Sequence, residues 1–314
     1  FSLAQDSLVM NIDDLSCVGA TDGFILSNTI GRNAHRIDGH CISEIIRGYD
    51  HTINMLKEYG VNILMAGGET ADVGDLVRTV IIDSTVVVRL RREFVIGAAE
   101  IRPGDVIVGL SSFGKAVYEK EENSGISSNG LTAARHILLS KYYYEKYPES
   151  LSETIPEDKA YCGKYLLSDQ MPNTCMTVGD AILSPTRTFL PILSAALPKI
   201  RDQVSGIIHC TGGGLVKCRD FGRGVRYIKD RLFDRPAIFE EIYRSGEIPE
   251  RELFQVFNCG HRMEICCSRK AVNTIISESE RLGVEAKIIG RVEESSDPNH
   301  NEVVIHGKEG IHRY

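Results

Sequence analysis

Two stretches put carboxylates where metal or phosphate chemistry could be done. "VMNIDDL" sets Asn11, Asp13 and Asp14 behind an apolar segment. Acid and amide oxygens at such an edge suit Mg2+, a hard cation that takes one or two protein carboxylates together with phosphate oxygens. The same residue types also serve as helix caps and solvated turns. "LMAGGETADVG" brings Glu69 and Thr70 directly after Gly67 and Gly68, where an apolar run stops. The two glycines let a ligand approach the backbone closely. Glu69 would then complete a magnesium site begun by Asp14 and Thr70 would donate to a phosphate, or the pair would cap a following helix. Asp72 and Asp75 add local acidity or are simply exposed.

The stretch "HCTGGGL" is the most phosphate-like. Gly212, Gly213 and Gly214 leave backbone N–H groups free to converge on an anion. It is not a Walker loop, because no Lys-Ser or Lys-Thr follows the glycines. His209, which opens the stretch, reads by itself first as a buried, hydrogen-bonded strand histidine and only then as a site residue. "SSNGLTAARH" offers Ser128 and Asn129 as caps or as ligand contacts, and "LSPTRTFLPIL" places Thr186 and Arg187 after Pro185. An arginine there suits bidentate contact with phosphate or carboxylate, or a helix start. Spacing assigns no mechanism to Asn258, Cys259 and Gly260 in "FNCGHRM", and no Cys-His or Ser-His-Asp arrangement is evident.

The elements that must hold these residues can be read from periodicity. Ile42, Ile45, Ile46, Tyr49, Ile53 and Leu56 recur at helical spacing, and Gly60 stops the run. "VNILMA" and "VRTVIIDSTVVVRL" read as strands, so the first unit is α/β or α+β. Pro103-Gly104 marks a turn before "DVIVGLSS", which puts a domain boundary near residue 100. Beyond it "LTAARHILLSKYYYEKY" reads as one helix, 148–180 as a polar surface insertion, and "VSGIIHC" as a strand entering the glycines. "AIFEEIYRSG" and "RKAVNTIISESERLG" read as helices, and "EAKIIGRV" and "EVVIHG" as closing strands.

A chain of 314 residues with 42% hydrophobic and 25% charged side chains is long enough for two globular domains. The net charge of −7 gives no basic stripe for nucleic acid, and no apolar run is long enough to span a bilayer. Nine cysteines without paired spacing read as buried thiols in a reducing cytosol. Cys266 and Cys267, adjacent in a strand, point to opposite faces and are poorly placed to share a metal.

The ordered set "MNIDDL", "GGETA", "SNG", "LSPTR", "TGGG" and "FNCG" resembles the phosphoribosylformylglycinamidine cyclo-ligase family, also called aminoimidazole ribonucleotide synthetase, over most of the chain. That resemblance implies a two-domain fold of α+β and α/β character, with units at 1–100 and 101–314. The N-terminal sheet domain would dimerise. It implies ATP and Mg2+ at the domain junction, with formylglycinamidine ribonucleotide as substrate, in a cytoplasmic homodimer. Asp14 and Glu69 would hold the metal. Asn11, Thr70 and Gly212 to Gly214 would face the nucleotide, and Ser128, Asn129, Thr186 and Arg187 the substrate. Asp14, Glu69, Asn129 and His209 would act in catalysis. The family's glycine-rich arm, and a Gly-Thr-Asp-Gly-Val-Gly strand that supplies a further metal-binding aspartate, would precede Phe1. Ser127 stands where the family usually has histidine, and a hydroxyl cannot replace imidazole as acid or base near pH 7. Segments 113–127 and 148–180 are longer than their counterparts in the family.

Overall fold

A computed structural model describes residues 1–314. In the first unit, helices α1 (Ser2–Cys17) and α2 (Gly39–Glu58) pack with the strands β1 (Phe24–Arg32), β2 (Ile63–Asp72) and β3 (Val80–Val87). The sheet order is β2-β1-β3, with β1 parallel to β2 and antiparallel to β3. The expected helix over 42–56 is α2, started by Asp38, whose carboxylate accepts from the Cys41 N–H at 2.9 Å. Ser84 of β3 meets both helices, 2.6 Å from Ser7 Oγ and 2.8 Å from the Tyr49 hydroxyl.

Two expectations change here. "MNIDDL" lies inside α1 and not at an edge: Ala4, Leu8, Val9, Ile12, Asp13 and Ser16 form its buried stripe. Buried Asp13 interrupts the apolar periodicity, which hides the helix from the sequence. "GGET" lies inside β2 and not after a strand. The strand shifts register between Met65 and Gly67 and continues to Asp72.

Strand β1 alternates cleanly. Phe24, Leu26, Asn28 and Ile30 are buried toward the helices, while Ile25, Ser27 and Thr29 face outward. No element of this chain covers the outward face, where Ile25, Leu64, Ile81 and Val87 are 46%, 64%, 54% and 59% exposed.

Residues 88–105 connect to the second unit. It is built from β4 (Val106–Ser111), the short hairpin β5 (Phe113–Gly114) and β6 (Asn123–Ser124), and helices α3 (Leu131–Leu138), α4 (Tyr142–Lys146), α5 (Val178–Leu183) and α6 (Leu190–Ile200). Then come β7 (Val204–His209), β8 (Val225–Lys229), α7 (Ala237–Arg244), α8 (Glu250–Val256), β9 (His261–Cys267), α9 (Val272–Arg281), β10 (Ala286–Glu294), β11 (Glu302–His306) and β12 (Ile311–Arg313). Seven of these strands form one sheet in the order β12-β11-β8-β10-β4-β9-β7, in which only β11 and β8 pair in parallel. A core lies on each face. Cys266 packs in one and Cys267 in the other, as strand alternation requires.

The single helix expected over 131–147 is broken. Leu139 and Ser140 leave it to bridge Tyr165 and Gly163, which joins the helix to the segment that follows. That segment is not merely surface: Ala160, Tyr161, Met171 and Met176 are buried. It also reaches the first unit, through an Arg36–Glu149 pair at 2.9 Å and an Arg78 bond to the Leu151 carbonyl.

Candidate active site

The two neighbouring aspartates of α1 do different work. Asp13 is fully buried and takes the Thr188 hydroxyl at 2.7 Å and the Phe189 N–H, with Arg262 Nη2 3.5 Å away. Burial raises its carboxyl to about 6, against the pull of the Arg262 guanidinium. It fastens α1 to the second unit. Asp14, one residue on, is 57% exposed and takes His209 Nδ1 at 2.8 Å on one oxygen. Burial raises its carboxyl, but the His209 bond and nearby positive charge outweigh this and hold it below the usual value.

The tautomer of His209 follows from its neighbours. Arg262 Nη1 lies 2.6 Å from Nε2, and a guanidinium can only donate. Nε2 therefore accepts, and Nδ1–H donates to Asp14. Burial, then the Arg262 charge, push His209 down to about 4, so the ring is neutral near pH 7. With both nitrogens engaged and the ring 2% exposed, His209 positions Asp14 and is not free to exchange protons with a ligand.

The strand β7 ends at His209 and delivers the glycine loop beside Asp14. Gly214 has φ +52°, and a side chain there would meet the Phe254 carbonyl at 2.5 Å, so the turn demands glycine. Asn129 Nδ2 clamps this loop to the "SNG" turn by donating to the Thr211 and Val256 carbonyls at 2.9 and 2.8 Å. Asn258 does the same one layer deeper. Its Oδ1 accepts from Ser112 Oγ at 2.8 Å and its Nδ2 donates to the Gly125 carbonyl at 2.9 Å. This is the role that spacing did not assign to "FNCG".

Asp14, His209, Asn129 and Gly212 to Gly214 are thus brought together, with half-buried Ser128 at the rim. Several other expected residues are elsewhere. Arg187 is buried, and its five N–H groups are spent on Glu119 and on the Ser111, Phe113 and Gly114 carbonyls. It anchors the 113–127 segment, and none of its donors is left for substrate. Thr186 is also fully buried, with its hydroxyl accepting from the Ser128 N–H at 3.2 Å. Asn11 donates to the Ser7 carbonyl within α1. Ser127 is 3% exposed and so faces the interior.

Glu69 is the main correction. It pairs with Thr29, whose side chain is on the uncovered face of the sheet, whereas α1 and Asp14 are on the other. Gly68 confirms the register, because a side chain there would collide with buried Asn28 on the helix side. Within one chain Asp14 and Glu69 therefore face different surfaces and cannot share an ion. Thr70, opposite Ile30, is exposed at the sheet edge.

Beneath the glycine loop, Cys210, His261 and Glu264 form a buried donor group. Lys229 Nζ already lies 2.5 Å from Glu264 and supplies the cation there.

Two packed units of this kind, joined by a helix that carries one buried and one open aspartate, define a class. Residues 1–89 match the model of the AIR synthase related protein N-terminal domain, and 102–301 that of its C-terminal domain. The chain belongs to the AIR synthase related family. It is 30% identical over 303 residues to a phosphoribosylformylglycinamidine cyclo-ligase of Methanocaldococcus jannaschii, covering 95% of this chain and 74% of that one. A Methanococcus maripaludis protein of the same name is 29% identical, covering 94% and 72%. Among solved structures, hydrogenase maturation protein HypE in complex with ATP shares the fold with a TM-score of 0.62 at 12% identity, covering 99% of this chain and 78% of that one. T. maritima PurL complexed with ADP gives 0.52 at 13% identity, covering 99% and 39%.

Proposed function

We propose that this protein closes the imidazole ring of aminoimidazole ribonucleotide. ATP phosphorylates the formyl amide oxygen of formylglycinamidine ribonucleotide, an amidine nitrogen attacks the activated carbon, and inorganic phosphate leaves. The observation that carries this reading is the likeness to cyclo-ligases along 95% of the chain. The site chemistry agrees with it. Phosphoryl transfer asks mainly for positioning and neutralised charge, and the Gly212–Gly214 loop offers backbone beside a carboxylate held by His209.

The residues present fit Mg2+, which Asp14 would hold through a carboxylate oxygen. Asp14 leaves one oxygen free of His209, and the ion commonly takes only one or two carboxylates. Bound there, it would neutralise phosphate charge. Glu69 joins such a site only from a second copy. The uncovered apolar face that carries it is suited to a two-fold pairing of first-unit sheets, so we read the protein as a homodimer in which Glu69 is directed toward the partner.

Incubation with formylglycinamidine ribonucleotide, ATP and Mg2+ should yield aminoimidazole ribonucleotide, ADP and phosphate in equal amounts. ATP hydrolysis without the aminoimidazole product would overturn the assignment.

A further inference from the structure

The glycine loop has a cation beside it that spacing did not single out. Lys217, three residues past Gly214 in the 3-10 stretch Gly214–Asp220, is half-buried. Its Nζ turns back to donate to Thr211 Oγ1 at 2.8 Å. That bond uses one of three donors on the ammonium. No carboxylate pairs with it: Asp14, whose charge it feels, is bonded to His209 instead. Next to Thr211, Gly212 opens onto space, since a side chain there would meet nothing within 4 Å. A part-buried ammonium with spare donors, no counter-ion and open glycine backbone beside it is arranged for an anion that arrives with the ligand.

Building on the reading above, we propose that Lys217 is a phosphate-binding residue. Its ammonium takes a phosphate oxygen, of ATP or of the ribonucleotide substrate, above the glycine loop. Thr211 aims the side chain, and Asp14, held by His209, carries the opposite charge nearby. A lysine acts here as a point charge, without the planar fork of arginine.

The test is steady-state kinetics of full-length wild type, Lys217→Gln and Lys217→Arg, varying Mg-ATP and ribonucleotide separately. In Lys217→Gln the KM for one of them should rise on the order of 10- to 100-fold, the value of a charge-assisted bond, with kcat much less changed. Lys217→Arg should recover most of the loss. A rise confined to ATP assigns the triphosphate, and one confined to the ribonucleotide assigns its 5′-phosphate. If both KM values stay within about twofold of wild type, where a lost charge-assisted bond would shift them further, the proposal fails. Should wild type make no aminoimidazole product, the ring-closure reading fails by itself. Titration of ATP and of inorganic phosphate into wild type and Lys217→Gln then decides the lysine: weaker binding in the variant upholds it, and equal binding overturns it. Matching melting curves exclude a folding defect.

Discussion

His209 and Asp13 are bonded or paired to the same guanidinium, that of Arg262, and their protonation pulls stability in opposite directions. His209 is depressed to about 4, so the stability it contributes is present above its ordinary value near 6.5 and is lost as pH falls through about 4. Asp13 is raised to about 6, so its contribution is present below the ordinary 3.8 and is lost as pH rises through about 6. The two partly cancel in the wild type. His209→Gln removes one of them, so the variant should gain on wild type by about 3 kcal/mol between pH 6.5 and 4. Urea unfolding across that range measures this, and parallel curves for the two proteins would refute it. At this scale the sequence misleads about Arg187. Its position after Pro185 suggests a ligand contact, but five acceptors drawn from Ser111 to Glu119 can be counted only once the chain is folded.

Among the elements, α1 matters most, because it carries Asp14 and touches both units. It crosses α2 at Gly48, where a side chain would sit 2.8 Å from Ala4 Cβ and press on the Phe1 carbonyl. Gly48→Ala gains up to about 1 kcal/mol in helix propensity but overpacks the crossing by about 1–3 kcal/mol. The variant should melt lower and turn over more slowly as α1 shifts. A melting temperature equal to or above wild type would show that the crossing has slack. The sequence exposed α2 and the strands β4, β7, β10 and β11 through their periodicity, yet concealed α1. Asp13 breaks its apolar stripe, and only the partners of Asp13 on the second unit explain why an acid is buried there. The break in the helical pattern over 131–147 is hidden for a related reason. Leu139 and Ser140 are drawn into bridges by residues more than twenty positions later, a demand that local spacing does not record.

At the scale of the whole molecule, the proposed sharing of one metal by Asp14 and Glu69, which lie on opposite surfaces of one chain, requires a second copy. Asp14→Asn and Glu69→Gln should each be nearly inactive alone. Mixed after partial unfolding and reassociation, they should recover about a quarter of wild-type turnover, since half the dimers are mixed and each mixed dimer restores one of two shared sites. No recovery on mixing would show that Glu69 does not act across a dimer. The six motifs gave the family and the order of the parts. They could not show which face of β2 Glu69 occupies, because that depends on a register shift between Met65 and Gly67.

The distribution of sulfur has a practical consequence. Five of the nine thiols are sealed in the interior, while Cys41 on α2 and Cys162 and Cys175 in the later segment stand at the surface. Spin or fluorescent probes attached under native conditions would therefore report from one known place on the first unit and two on the second. Distances between the two units could be measured in this way without engineering a single new attachment point.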